Sequence, residues 1–150
     1  MGIAEGLIRD AIARAFNADV NDVERAMDVL LDYGEVAKRT KHGDLKKLSL
    51  QIGRPFRVML CIKVDSVEEA LKAVGKPALF DYKLDGFRVT VHKKNNEISL
   101  FTRRIENVTK QFYETFEVIR KNVKCKSCIL DSEFVGYNPK TKKYLPFQNI

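Results

Sequence analysis

The sequence predicts an α+β fold, with helices at its N-terminal end followed by a unit built on antiparallel strands. Three observations carry this. Apolar residues recur at helical spacing through the first 34 residues. Two alternating segments flank Asn95-Asn96, a hairpin turn signal. Glycine, proline and asparagine divide the rest into short elements with no internal repeat.

Ile3, Leu7, Ile8, Ala11, Ile12, Ala15 and Phe16 form one apolar stripe, which predicts a helix over 3–16. Asn21 followed by Glu24 resembles a capping box. Behind it Val23, Met27, Leu30 and Leu31 predict a second helix, with Gly34 as its stop. These residues read as a packing unit and carry no chemistry. Residues 38–47, Lys-Arg-Thr-Lys-His-Gly-Asp-Leu-Lys-Lys, read as a solvated basic linker able to touch a phosphate backbone.

Arg54-Pro55 predicts an extended approach, because proline disfavours helix at the residue before it. Residues 56–62 are apolar with basic interruptions. Ser66 and Glu69 make a second capping box for a short helix over Val67–Val74, closed by Gly75 and Pro77. Ala78–Leu84 predicts a strand, and Phe87–Lys93 with Glu97–Thr102 predict a hairpin. Val108, Phe112, Thr115, Phe116 and Ile119 predict a helix whose phenylalanines belong to the core. Cys128–Tyr137 and Lys142–Phe147 predict another strand pair around Asn138-Pro139.

The chain has 150 residues, 45% of them apolar, enough for a real core. No apolar run reaches membrane-spanning length and no charged-then-apolar leader opens the chain. A cytoplasmic protein without a membrane partner is expected. The net charge of +7 favours anionic partners, nucleic acid or nucleotide phosphates, although lysine-rich surfaces are common. Cys61, Cys125 and Cys128 are too few and too unevenly spaced for a disulfide framework. Cys125 and Cys128 form a lone C-x-x-C; a structural zinc needs four ligands, and neither His42 nor His92 stands at finger spacing. Two ordinary thiols are the plainer reading.

The sharpest local feature is Asp81-Tyr82-Lys83-Leu84-Asp85-Gly86-Phe87-Arg88. In a strand, Phe80, Tyr82 and Leu84 share one face, the core side, while Asp81 and Lys83 share the other. Gly86 lets the backbone turn after it, and Arg88 returns a cation to the neighbourhood. Lysine attacks only as the neutral amine, a form favoured by neighbouring cations, and those cations also neutralise charge on a phosphate under attack. By itself the four-residue pattern is short enough to arise by chance, as a turn beside a surface lysine.

Lys83-Leu84-Asp85-Gly86 with Arg88 resembles motif I of the covalent nucleotidyltransferases: DNA ligases, RNA ligases and messenger-RNA capping enzymes. Phe101–Thr109 is similar to the DNA ligase stretch after motif I, and Ile129–Tyr137 to motif III, continued by Tyr144-Leu145-Pro146-Phe147-Gln148. Arg54–Leu60 resembles the segment entering the ligase adenylation domain. The ordered set is most similar to ATP-dependent DNA ligases of the archaeal replicative type.

The resemblance implies a partial antiparallel-sheet adenylation domain over 54–150, a linker over 38–53, and the end of a helical DNA-binding domain over 1–37. It implies Lys83 as the adenylated nucleophile. Asp81 stands where ligases usually place a glutamate that reads the adenine amino group; aspartate is one methylene shorter. Arg88 and Arg103 match arginines that contact the nucleotide and later the nicked strand, and Glu133 matches the glutamate near the ribose hydroxyls. ATP and magnesium (Mg2+) are the implied cofactors; magnesium keeps several waters, and no protein ligand for it is named. Nicked duplex DNA is the implied partner in replication, repair and recombination, with a sliding clamp as a further one. Counterparts of the family's later motifs fall outside the sequence, so a ligase fragment, weak or inactive alone, is expected. Two alternatives stand beside this reading: a non-catalytic DNA-binding module, motivated by the charge, and an RNA ligase or capping enzyme, against which the segments at 54–60 and 129–148 argue.

Overall fold

The computed structural model describes residues 4–59 and 61–149. Ile3 and Leu60, both part of sequence expectations above, lie outside the described residues. Five helices and antiparallel strands make up the described chain, an α+β fold as expected. It divides into two compact units: Met1–Val58 with Arg88–Ser132, and Met59–Phe87 with Glu133–Ile150.

The first unit begins with three helices. Helix α1 (Glu5–Ala15) and helix α2 (Val20–Leu30) match the predicted pair. Asp19 caps α2, its carboxylate accepting the backbone N–H groups of Asn21 at 2.7 Å and Asp22 at 3.3 Å; Asn21, expected as the cap, is a donor to it. The helix ends at Leu31, in left-handed conformation, and not at Gly34. Gly34 instead lies in a third helix, α3 (Tyr33–His42), capped by the Asp32 carboxylate on the Glu35 N–H at 2.9 Å and closed by Gly43. Residues 38–42, expected in a linker, are therefore the end of α3, where Val36 and Thr40 are buried one turn apart. The core holds Ile12, Ala13, Val23, Ala26, Met27, Leu30 and Val36, with Leu45 and Leu48 packed against it.

The segment after α3 is tied back to the helices. Arg54 donates to the Leu30 carbonyl at 2.6 Å, at the C-terminal end of α2. Arg57 makes a two-pronged contact with Glu5 at 2.9 and 3.0 Å, and the Tyr33 hydroxyl donates to Glu5 at 2.8 Å. Arg57 and Tyr33 together hold the Glu5 carboxyl below its ordinary range.

The predicted hairpin is present as β1 (Phe87–Lys94) and β2 (Glu97–Thr102), from Val89↔Thr102 to Lys94↔Glu97, with Asn95 left-handed in the turn. Strand β3 (Ser127–Phe134) completes the order β2-β1-β3. Contacts at Asn95–Lys126 and Val89–Ser132 run in opposite directions along the two strands, so β3 is antiparallel to β1. Central β1 is buried on both faces from Val89 to Lys93. The stripe from Val108 to Ile119 forms turns first and a regular helix, α5, only over Thr115–Asn122; Phe112 and Phe116 are half-buried.

The second unit holds helix α4 (Val67–Val74), capped as predicted by the Ser66 hydroxyl on the Glu69 N–H at 3.2 Å, and a short hairpin of β4 (Tyr137–Asn138) with β5 (Lys143–Tyr144). The second predicted strand pair is thus redistributed: β3 stops at Phe134, and the hairpin starts afresh at Tyr137. Ala78–Leu84 has no regular structure. A strand needs a ladder partner, and among the described residues none pairs with it. The face expected to enter a core lies open: Phe80 is 72%, Tyr82 91% and Leu84 45% exposed.

Candidate functional site

In the second unit, Lys83 and Asp81 sit exposed on the irregular run 78–85. Among the described residues Lys83 reaches only the Leu84 carbonyl, at 3.5 Å, the outer limit of a hydrogen bond. Asp81 accepts the N–H of Tyr82 at 2.7 Å. The expected opposition of an apolar face to a pocket face is not formed, because no sheet fixes the alternation.

Three separated motifs nevertheless meet at Gly86. A Cβ at residue 86 would lie 2.5 Å from the Phe134 carbonyl oxygen, 2.9 Å from Cγ of Glu133 and 3.0 Å from Cγ2 of Val135. Only a residue without a side chain allows the two backbones this close. The approach places the Lys83–Gly86 motif against the segment carrying half-buried Glu133. The 144–148 motif joins on the same unit. The N–H of Phe147 donates to Asp85 at 3.2 Å, and the Phe147 ring stacks on Phe87 at 6.3 Å. Among the described residues Glu133 makes no ion pair.

Arg88 and Arg103 belong to the first unit. Arg88 is clamped by Asp131, Nε to Oδ1 at 3.0 Å and Nη2 to Oδ2 at 2.6 Å, a two-point guanidinium–carboxylate pair. Sequence reasoning gave Asp131 no role. The available signal was its period-two spacing from Glu133, which puts both carboxylates on one face of β3. Arg103 is exposed with Arg104 in a turn at the end of β2. Thr102 organises that turn: its N–H donates to the Glu106 carbonyl at 2.9 Å, and its hydroxyl oxygen accepts from Arg104 N at 3.1 Å and Glu106 N at 3.3 Å. Thr109 closes the loop by accepting the N–H of Leu100 at 2.9 Å. Ile105 within it is left-handed (φ 70°), a conformation a β-branched residue rarely adopts. The two arginines are thus held on a braced loop.

Burial pushes the Cys128 thiol up, and the neighbouring Cys125 thiol adds to the shift. No group of three or more histidine, cysteine, aspartate or glutamate side chains suited to a metal occurs among the described residues. No helix among them is long and apolar enough to cross a membrane.

Comparison with known proteins follows the same line. The "ATP dependent DNA ligase domain" family matches residues 58–150. The chain is 48% identical over 153 residues to a DNA ligase of Nanoarchaeum equitans, with all of the chain and 27% of that protein covered. It is 41% identical over 150 residues to a DNA ligase of Methanothrix thermoacetophila, again with all of the chain and 27% of the relative covered. A DNA ligase of Thermococcus onnurineus is 40% identical over 151 residues, covering 96% of the chain and 27% of the relative. The chain therefore spans about a quarter of the length of these relatives. Its family match, the ordered motifs and their meeting at Gly86 have one reading: the chain belongs to the ATP-dependent DNA ligase domain family.

Proposed function

We propose that this chain carries the nucleophile of a DNA ligase, and that the protein of its relatives' length seals nicks in duplex DNA. The observation that carries the reading is the Gly86 contact, which brings the lysine motif and the Glu133 segment together although nearly fifty residues separate them.

The Lys83 amine attacks the α-phosphorus of ATP. A P–N bond forms, the bond to the β-phosphate oxygen breaks, pyrophosphate leaves and the amine proton passes to solvent. AMP then moves to the 5′-phosphate at the nick, and the 3′-hydroxyl displaces it to close the strand. Positioning and charge neutralisation do most of the work in such transfers. Asp81 reads the adenine amino group, Glu133 contacts the ribose, and Arg88 and Arg103 contact the nucleotide or the nicked strand. The exposure of Lys83 suits attack on an arriving substrate. Magnesium would add charge neutralisation at the phosphates, and no residue of this chain is assigned to hold it.

In domain terms, 1–37 is the end of a helical DNA-binding domain, 38–53 a connection that includes the last turn of α3, and 54–150 the first part of the adenylation domain. A cytoplasmic setting, service in replication, repair and recombination, and a sliding-clamp partner complete the reading.

The test is incubation of the full-length protein with α-labelled ATP and magnesium. Protein-bound label that survives denaturation and is lost in Lys83→Ala supports the proposal. Equal labelling of both proteins refutes it.

A further inference from the structure

A partly enclosed cavity of about 70 Å³ lies in the first unit, between the helices and the segment that follows them. Arg39, Lys47, Ser49, Gln51 and Arg54 are among its lining residues. It contains none of the residues assigned to nucleotide chemistry above.

Its charge is unbalanced. Arg39 and Arg54 are both half-buried, yet Glu35 is the one carboxylate paired with either among the described residues, taking Arg39 Nε at 2.8 Å. Arg54 uses Nη2 on the Leu30 carbonyl and makes no ion pair among the described residues. Lys47, with one bond to Asp44 at 2.7 Å, stands at the exposed rim. Two half-buried guanidinium groups lining one cavity are complemented by an anion beside them. A guanidinium has five N–H donors and an ammonium three, so all three side chains keep donors to give. Ser49 and Gln51 add a hydroxyl and an amide. This donor set, in a cavity sized for one tetrahedral group, matches an oxyanion.

We propose that this cavity binds one phosphate group, supplied by the backbone of duplex DNA. The choice of DNA rests on the ligase reading; the oxyanion site does not. Arginine forks suit a phosphodiester's paired oxygens.

The experiment has two arms, both on the 150-residue chain. In the first, inorganic phosphate is titrated while amide resonances are followed. Shifts at Ser49 and Gln51 are expected, with affinity about tenfold weaker in Arg39→Gln, the loss of one charge-assisted contact. Arg54→Lys, which keeps charge but not the fork, should weaken binding as well, and thermal melting verifies that both variants fold. Absence of shifts in the parent chain, or equal affinity in parent and Arg39→Gln, overturns the site. In the second arm, binding to nicked duplex is measured against salt. Arg39→Gln should lower the slope of log affinity against log salt by roughly one. Phosphate binding that is lost in Arg39→Gln while this slope stays unchanged overturns the DNA assignment and leaves a site for free phosphate. Neither arm reads nucleotidyl transfer, so failure of this site and failure of the ligase reading stay distinguishable.

Discussion

Gly86 is the residue on which the candidate site depends most directly. Its φ lies outside the left-handed region, so its requirement is one of space: a methyl group there meets the Phe134 carbonyl at 2.5 Å. Gly86→Ala should therefore push the Glu133 segment away and destabilise the chain by about 1–3 kcal/mol, as overpacking does. A lowered urea midpoint checks this, together with loss of labelling in the full-length protein. A second residue sets a pH dependence. His92 is buried at the centre of β1, with Nδ1 accepting the Gly53 N–H at 3.0 Å and its ring against Phe101 at 4.9 Å. Burial pushes its imidazole below the ordinary value of 6.5, so the folded chain keeps it neutral. Nε2 then carries the proton, and it has no partner among the described residues. The unfolded chain takes up a proton below about 6.5, so stability falls as pH drops through that value towards the lower folded one. Urea midpoints at about pH 7.5 and 5.5 should differ more in the parent chain than in His92→Gln, since only the former loses this contribution.

At the scale of elements, helix α3 shows how little pattern a short helix needs. It offers two fully buried residues, Val36 and Thr40, among lysines and arginines, which is why the sequence reads there as a solvated run. Asp32 starts it and Gly43 stops it; Gly34 looked like a stop for the preceding helix only because glycine signals chain reversal without saying which element it serves. Asp32→Ala should cost about 0.5–2 kcal/mol by removing that cap, seen as a lower melting temperature and fraying of the first turn. The strands divide in a similar way. The β1–β2 hairpin was legible because turn and alternation agree and its partner is adjacent in sequence. Ala78–Leu84 has strand-like residues but no ladder among the described residues. Its amides should exchange with solvent far faster than those of Val89–Lys93, which are buried in the sheet; equal protection of the two segments would show that 78–84 is paired after all.

For the molecule as a whole, the division into two units sets what the chain can do alone. Arg88 and Arg103 fall in one unit, Lys83, Asp81 and Glu133 in the other. Lys83, the proposed nucleophile, stands on an open segment whose apolar neighbours are exposed. Catalysis by positioning requires a fixed geometry, so the 150-residue chain should label itself with AMP far more slowly than the full-length protein. Denaturing gels after incubation with α-labelled ATP give the comparison, and comparable rates would show that the residues here suffice.

The sequence by itself determined the fold class, the first two helices, the capped helix at 67–74, the hairpin and the identity of the family. Each of these rests on local signals or on motif order, both of which are linear properties. Tertiary structure decided the rest, because it depends on which segments meet. Folding put Gly86 in contact with the Glu133 strand, clamped Arg88 on Asp131, drew Phe147 to Asp85 and, among the described residues, left the lysine segment without a strand partner. Alternation along 78–84 promised a face for the core and a face for chemistry, but a face exists only where a neighbouring strand holds the pleat.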